Sequence, residues 1–214
     1  MAIICPTVTA LSVEEYKKQL DLDVSLSRRI HIDLMDGIFA RTKSPNIEEI
    51  WWPSGMQIDL HLMYQQPDTI LDTIIKLHPS LVIVHAEAEG DFARLSAKLK
   101  AAGIKVGLAL LGPTQVTQVL SVLPALDHVL VFSGHLGHFG GQTDLNLLHK
   151  VKSLKANYPG IEIGWDGGIN DQNTSQLIAG GVDVLNTGGF IQKSANPAHA
   201  YAILKVIAQQ KKDE

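Results

Sequence analysis

His31-Ile32-Asp33-Leu34-Met35-Asp36-Gly37 is the stretch that decides the fold of this chain. The period of two of an extended strand places His31, Asp33 and Met35 on one face, with Ile32 and Leu34 on the other. The pattern returns at Asp59-Leu60-His61-Leu62-Met63, where Asp59, His61 and Met63 share a face. Working outward, short apolar, β-branched runs recur along the chain: Ile3–Val8, Ile30–Met35, Gln57–Met63, Leu81–His85, Lys105–Leu110, His128–Phe132, Glu162–Trp165 and Val182–Asn186. Each reads as a strand buried on both faces. Between them lie segments with mostly helical apolar spacing: Val13–Leu22, Asn46–Trp52, Thr69–Leu77, Phe92–Ala102, Gln115–Leu123, Leu145–Asn157, Asn173–Ala179 and Pro197–Gln209. Strict alternation of buried strand and helix implies βαβ units, and eight of them are the number that closes a (β/α)8 TIM barrel of parallel strands. The crossover from Ile38 to Met56 leaves room for only a shortened second helix. An open doubly wound sheet is the alternative architecture.

The 214 residues, 45% apolar and 19% charged, fit one barrel domain over 1–214, with no linker or repeat to divide it. A formal charge of -4, with no long run of like charge, points away from nucleic acid. Val106 to Leu126 is long enough to span a bilayer, but Gly107, Gly112, Pro113, Thr114, Gln115, Thr117 and Gln118 interrupt it, so it reads as a strand, a turn and a helix rather than a membrane segment. One cysteine, Cys5, leaves no internal disulfide, and the first residues carry no signal-peptide pattern; a cytoplasmic setting is expected.

Reactive groups of a parallel barrel sit at the carboxyl ends of its strands. Polar residues cluster there: His31 and Asp33 on the second strand, His61 on the third, His85-Ala86-Glu87 closing the fourth, and Trp165-Asp166-Gly167-Gly168 closing the seventh. Imidazoles and carboxylates buried in one barrel mouth need a shared partner, because an unpaired buried charge costs several kcal/mol. His31, Asp33, His61 and Asp166 offer two nitrogens and two oxygens, a set suited to one divalent zinc, iron or manganese ion. Taken singly, each histidine reads as an ordinary core residue hydrogen-bonded to backbone. Gly140-Gly141, Gly167-Gly168 and Gly188-Gly189 follow three consecutive strands, where glycine lets backbone amides approach an anion. They suggest a phosphorylated small-molecule substrate, although each pair alone would serve as a tight turn.

These motifs resemble the ribulose-phosphate 3-epimerase family over almost the whole chain. The resemblance rests on His31 to Gly37 with Phe39, on Asp59 to Met63, and on Val84-His85-Ala86-Glu87-Ala88, Val106-Gly107-Leu108, Phe139-Gly140-Gly141-Gln142 and Asp166-Gly167-Gly168. It implies a pentose phosphate pathway isomerase that interconverts D-ribulose 5-phosphate and D-xylulose 5-phosphate by moving the C3 proton. His31, Asp33, His61 and Asp166 would hold the metal, and Asp33 and Asp166 would form the acid–base pair on opposite faces of the substrate. Thr7, His61 and the glycine pairs would contact substrate or phosphate, while Met35, Met63 and Phe132 would wall the pocket, a role that plain core packing would also explain for the methionines. Assembly as a homodimer or hexamer is also implied, with no nucleic-acid or membrane partner.

The chain departs from the family pattern at several loops. Thr7 stands where the family has serine, and Phe132 where it has a third methionine. His135-Leu136-Gly137-His138-Phe139-Gly140-Gly141 replaces Asn-Pro-Gly-Phe-Gly-Gly, Gly188-Gly189 replaces Gly-Ser, and Ala40 to Asn46 replaces Val-Pro-Asn. Arg41, Lys43, His135 and His138 become candidates for facing an anion, with solvated loop positions as the plainer reading. Trp51 and Trp52 read as packing or subunit-contact residues. A related 3-epimerase of another ketose phosphate, such as a hexulose 6-phosphate, and a catalytically idle sugar-phosphate-binding paralogue are the alternatives. Lysine-dependent aldol cleavage is disfavoured because no lysine lies near a strand end.

Overall fold

Apolar runs of this length, buried on both faces, are stable only when paired on both edges and covered on the outside. The computed structural model, which describes residues 1–138 and 141–210, meets both demands. Strands β1 (Ile3–Val8), β2 (Arg29–Met35), β3 (Gln57–Met63), β4 (Leu81–His85), β5 (Lys105–Leu110), β6 (His128–Phe132), β7 (Glu162–Asp166) and β8 (Val184–Thr187) form a closed parallel barrel in chain order. Closure runs through the β1–β8 ladder, in register from Ile3 opposite Val184 to Pro6 opposite Thr187. The (β/α)8 expectation therefore holds. The outer faces of the strands, such as Ile30, Ile32 and Leu34, meet the helices in one continuous apolar shell.

The helices are α1 (Val13–Leu26), α2 (Leu71–Leu77), α3 (Phe92–Ala101), α4 (Leu148–Asn157), α5 (Thr174–Ala179), α6 (Gly189–Gln192) and α7 (Pro197–Gln210). Two expected helices are not α-helical. Asn46–Trp52 holds a single 3-10 turn, Ile47–Glu49, as its short crossover foretold. Gln115–Leu123 holds only the 3-10 turn Val116–Gln118, followed by a second one at Leu123–Ala125. Val116, Val119 and Val122 are stiff at χ1 and weak helix formers, and Pro124 lacks the N–H that a continuing helix would need. β7 runs one residue further than expected because Asp166 pairs with Phe132, and β8 starts two residues later, at Val184. The short α6 went unforeseen.

Inside the barrel the side chains form layers. At the amino-terminal end Arg29 donates to Asp59 at 2.8 Å and to both oxygens of Glu162, which also contacts His128 Nδ1 at 2.8 Å. A small apolar layer of Leu81, Ile83, Ala109 and Leu130 lies among β4, β5 and β6. Gly107 and Gly164 keep this region narrow: a Cβ on Gly164 would stand 2.4 Å from His128 Nε2. The carboxyl-terminal layer holds the expected site. No helix among the described residues is long and apolar enough to cross a membrane.

Candidate active site

β2 and β3 run in full register, with Asp33 opposite His61 and Met35 opposite Met63, so the two sequence motifs meet side by side. β7 carries Asp166 to the same level across the barrel. The structure thereby brings His31, Asp33, His61 and Asp166 together: one donor atom from each lies within 4.8 Å of the others. His61 Nδ1 is 2.8 Å from Asp33 Oδ1 and 3.8 Å from Asp166 Oδ2, and His31 Nε2 is 3.2 Å from Asp33 Oδ1. Neither ring nitrogen of His31 makes an aligned hydrogen bond, although the residue is wholly buried. Two carboxylates, two imidazoles and an orphaned buried nitrogen are the donor set and deficit that a zinc-, iron- or manganese-type ion would satisfy.

The environment separates the two carboxyls. Burial pushes both upward, but the His61 hydrogen bond, the close approach of His31 and the charge of both outweigh it at Asp33 and hold that carboxylate low. At Asp166, burial and then the neighbouring Asp33 charge leave the group raised. Burial lowers His61 to about 4, whereas Asp33 overcomes burial at His31 and raises it. Thr9, just past the end of β1, donates its hydroxyl to Asp33 Oδ2 at 2.6 Å and fixes the carboxylate plane.

Above the cluster opens a cavity of about 240 Å³. Asp33 and Asp166 line it, while His31, His61 and Met35 sit behind its wall. Thr7, Met63, Phe132, Gly141, Gly167, Gly168, Gly188 and Gly189 line it as the sequence suggested, whereas Gly140 and Phe139 lie outside the described residues. Met35 packs in a cluster with Ala40 and Met63. Gly167 and Gly168 are also fixed by backbone packing: at φ +113 and +70, a Cβ would fall 2.2 Å from Gly134 N and 2.4 Å from Thr143 N. Of the four loop candidates, His135 and His138 reach the cavity; Arg41 and Lys43 are exposed and do not line it. The Trp51 ring packs edge-on to Tyr16 at 5.3 Å, and its carbonyl accepts from the Tyr16 hydroxyl, in keeping with packing.

Sequence reading missed Thr9, Asn186, Lys193 and the contact between His61 and His85. Thr9 continues the Cys5, Thr7 period one step beyond β1, and Asn186 is a lone amide in an apolar strand whose buried side-chain atoms lack partners, so both carried a signal. Lys193 lies six residues past the end of β8, yet it lines the cavity.

The model of the ribulose-phosphate 3 epimerase family matches residues 3–191. Ribulose-phosphate 3-epimerase of Helicobacter pylori (strain J99 / ATCC 700824) is 30% identical over 214 residues, covering 96% of this chain and 98% of that protein. The enzyme of the same name from Bacillus subtilis (strain 168) is 34% identical over 171 residues, 76% of this chain and 78% of the relative. Among solved structures, 3-hexulose-6-phosphate synthase from Salmonella typhimurium superposes with a TM-score of 0.70 at 16% identity, over 97% of this chain and 99% of the other. KGPDC from Streptococcus mutans does so at 0.72 and 16%, over 98% of each chain, and both likenesses speak for the barrel alone. The match across nearly all strands and the barrel end they build lead to one assignment: the chain is a sugar-phosphate isomerase that belongs to the ribulose-phosphate 3-epimerase family.

Proposed function

We propose that the protein is a metal-dependent 3-epimerase that interconverts D-ribulose 5-phosphate and D-xylulose 5-phosphate. The observation that carries the reading is the pair of cavity-lining carboxyls, Asp33 and Asp166, whose surroundings push them in opposite directions, the first down and the second up. Inversion at a carbon next to a carbonyl needs one group to take a proton and another to return it on the opposite face. Asp33, kept ionised by His31 and His61 and steadied by Thr9, is the base in one direction. Asp166, whose carboxyl burial and the Asp33 charge push upward, is the acid, and the roles exchange in the reverse direction. His31, Asp33, His61 and Asp166 would hold the ion, which when bound supplies Lewis-acid stabilisation of the enediolate oxygens. Thr7 and the glycine-lined loops, with His135, His138 and Lys193 at the cavity, would take the phosphorylated end, and Met63 and Phe132 would exclude water from the carbanion.

The test follows ribulose 5-phosphate by NMR in deuterated water, using metal-analysed protein. Xylulose 5-phosphate carrying deuterium at C3 is expected, and Asp166→Asn is expected to abolish it while the barrel still folds. Exchange without product in the wild type would refute the two-face assignment. Neither signal, with metal bound, would transfer the reading to another ketose phosphate such as a hexulose 6-phosphate. The altered loop of His135 and His138, which lines the cavity, is the feature that would permit that second substrate. Two retained, buried carboxyls argue against an idle binder, which has no use for a second proton-transfer group.

A further inference from the structure

We propose that Glu87, acting through His85, is a positioning residue that fixes the tautomer in which His61 offers a bare Nδ1 to the divalent cation. The proposal rests on the metal reading above and extends it to residues outside the donor set. His61 Nδ1 faces the cluster, 2.8 Å from Asp33 Oδ1, and its Nε2 faces away, 2.8 Å from His85 Nε2. Two imidazole nitrogens at that distance share one proton, so one ring donates and the other accepts. The far nitrogen of His85, Nδ1, lies 3.4 Å from Glu87 Oε2. Both atoms are buried and neither has an aligned partner, so the two complement one another.

Glu87 is anchored from its other side. Its Oε1 accepts from the backbone N–H of Leu111 at 3.1 Å and from the Thr114 hydroxyl. The loop that supplies these donors is itself held by the buried Lys150 ammonium of α4, which donates to Leu111 O at 2.7 Å and Gly112 O at 2.9 Å. Phe39, with its centroid 4.8 Å from that of His85, and Phe132, at 5.8 Å, confine the imidazole ring.

Asp33 and Glu87 face the two ends of the His61–His85 pair, and two neutral imidazoles sharing one proton between them can donate to only one of these carboxylates; with a cation held on the Asp33 side, the order is set from Glu87. An ionised carboxylate only accepts, so His85 carries its proton on Nδ1, toward Glu87. Its Nε2 is bare and accepts from His61 Nε2–H. His61 Nδ1 is consequently bare on the side where the cation binds. The opposite order sets a lone pair against the Glu87 carboxylate and a proton on the nitrogen needed for ligation. Outer partners of this kind orient ligating histidines and raise their donor strength.

Glu87→Gln is the discriminating substitution because it keeps the shape. The glutamine carbonyl retains the contacts to Leu111 and Thr114, while its amide presents a donor to His85 Nδ1 and so reverses every proton down the line. Competition of the variant and the wild type for Zn2+ against a chromophoric chelator is expected to show about 10–100-fold weaker binding by Glu87→Gln. 15N-histidine NMR of the zinc-loaded wild type is expected to show His85 protonated on Nδ1 and His61 on Nε2, a signature that a purely structural role for Glu87 would not produce. A wild type with His85 protonated on Nε2 overturns the proposal, as does a folded Glu87→Gln of unchanged zinc affinity. If the variant does not fold, the wild-type spectrum alone decides. Failure of the wild type to bind zinc removes the metal reading and this inference together, whereas zinc binding that is indifferent to Glu87 removes only the inference.

Discussion

Asp23→Asn should flatten the pH dependence of stability by a calculable amount. Asp23 lies on the inner side of α1 and is wholly buried; Gln192 of α6 donates to its Oδ1 at 2.8 Å, and its Oδ2 has no partner. Burial pushes the carboxyl from 3.8 up to about 8. The folded state therefore holds a proton that the unfolded chain releases between these values. This favourable contribution is complete below the unfolded pKa and is lost as pH rises toward the folded one. A gap of about 4 pH units at 1.36 kcal/mol each bounds the loss at about 6 kcal/mol, and relaxation of the α1–α6 seam brings the expected change to on the order of 3 kcal/mol.

Asparagine is neutral at every pH, so it imitates the protonated aspartate and cannot acquire the charge. Urea unfolding of wild type and variant at pH 5 and pH 9, with chelator present to remove the metal contribution, isolates this group because all others titrate alike in both proteins. The variant should be more stable by roughly 1 kcal/mol at pH 5, where about a quarter of the window has been crossed, and by about 3 kcal/mol at pH 9. Parallel stability curves across that range would refute the assignment of a buried, protonated Asp23. The seam also matters to the site: α6 begins at Gly189, within the Gly188-Gly189 pair that lines the cavity.

His61→Ala removes one of the four clustered donors, and atomic emission analysis after zinc loading should show a lower metal-to-protein ratio; an unchanged ratio would count against the donor set. Gly167→Ala forces a Cβ to within 2.2 Å of Gly134 N at a φ of +113, so it should cost roughly 1–3 kcal/mol in backbone strain alone, with the clash added, read as a fall in the urea midpoint. A variant as stable as the wild type would show that the two loops move apart freely.

Most of the barrel was legible because each strand is a run of four to seven residues without internal polar relief on its outer face, ended by a turn. The donor cluster was legible because period-two spacing brings polar residues of adjacent strands to one interior face. Gln115–Leu123 misled because apolar residues at helical spacing also fit successive 3-10 turns, and its valines and following proline decided for the latter. The Glu87–His85–His61 line was not legible, since it depends on ring-to-ring distances across β3 and β4 rather than on the period within either strand.

Sequence alone also could not rank the interior acids, because Asp59 shares its strand face with His61 and looks equally suited to a ligand role. The structure separates them by what stands opposite. Asp59 and Glu162 lie in the layer that contains Arg29, which donates to both, so their charges are met within the protein. Arg29 and His128 together overcome the effect of burial and hold Glu162 low. Asp33 and Asp166, two layers above, form ion pairs with imidazoles only; among the described residues, no arginine or lysine pairs with either. An imidazole neutralises a carboxylate only when it carries a second proton; burial prevents that at His61, and although Asp33 raises His31, one imidazolium cannot meet two carboxylates. One polar layer of the barrel is thus closed by its own cation, and the other is left short of positive charge at the mouth where substrate enters. A divalent ion held by those four residues would make up that difference, and without it the same deficit pushes the Asp166 carboxyl upward.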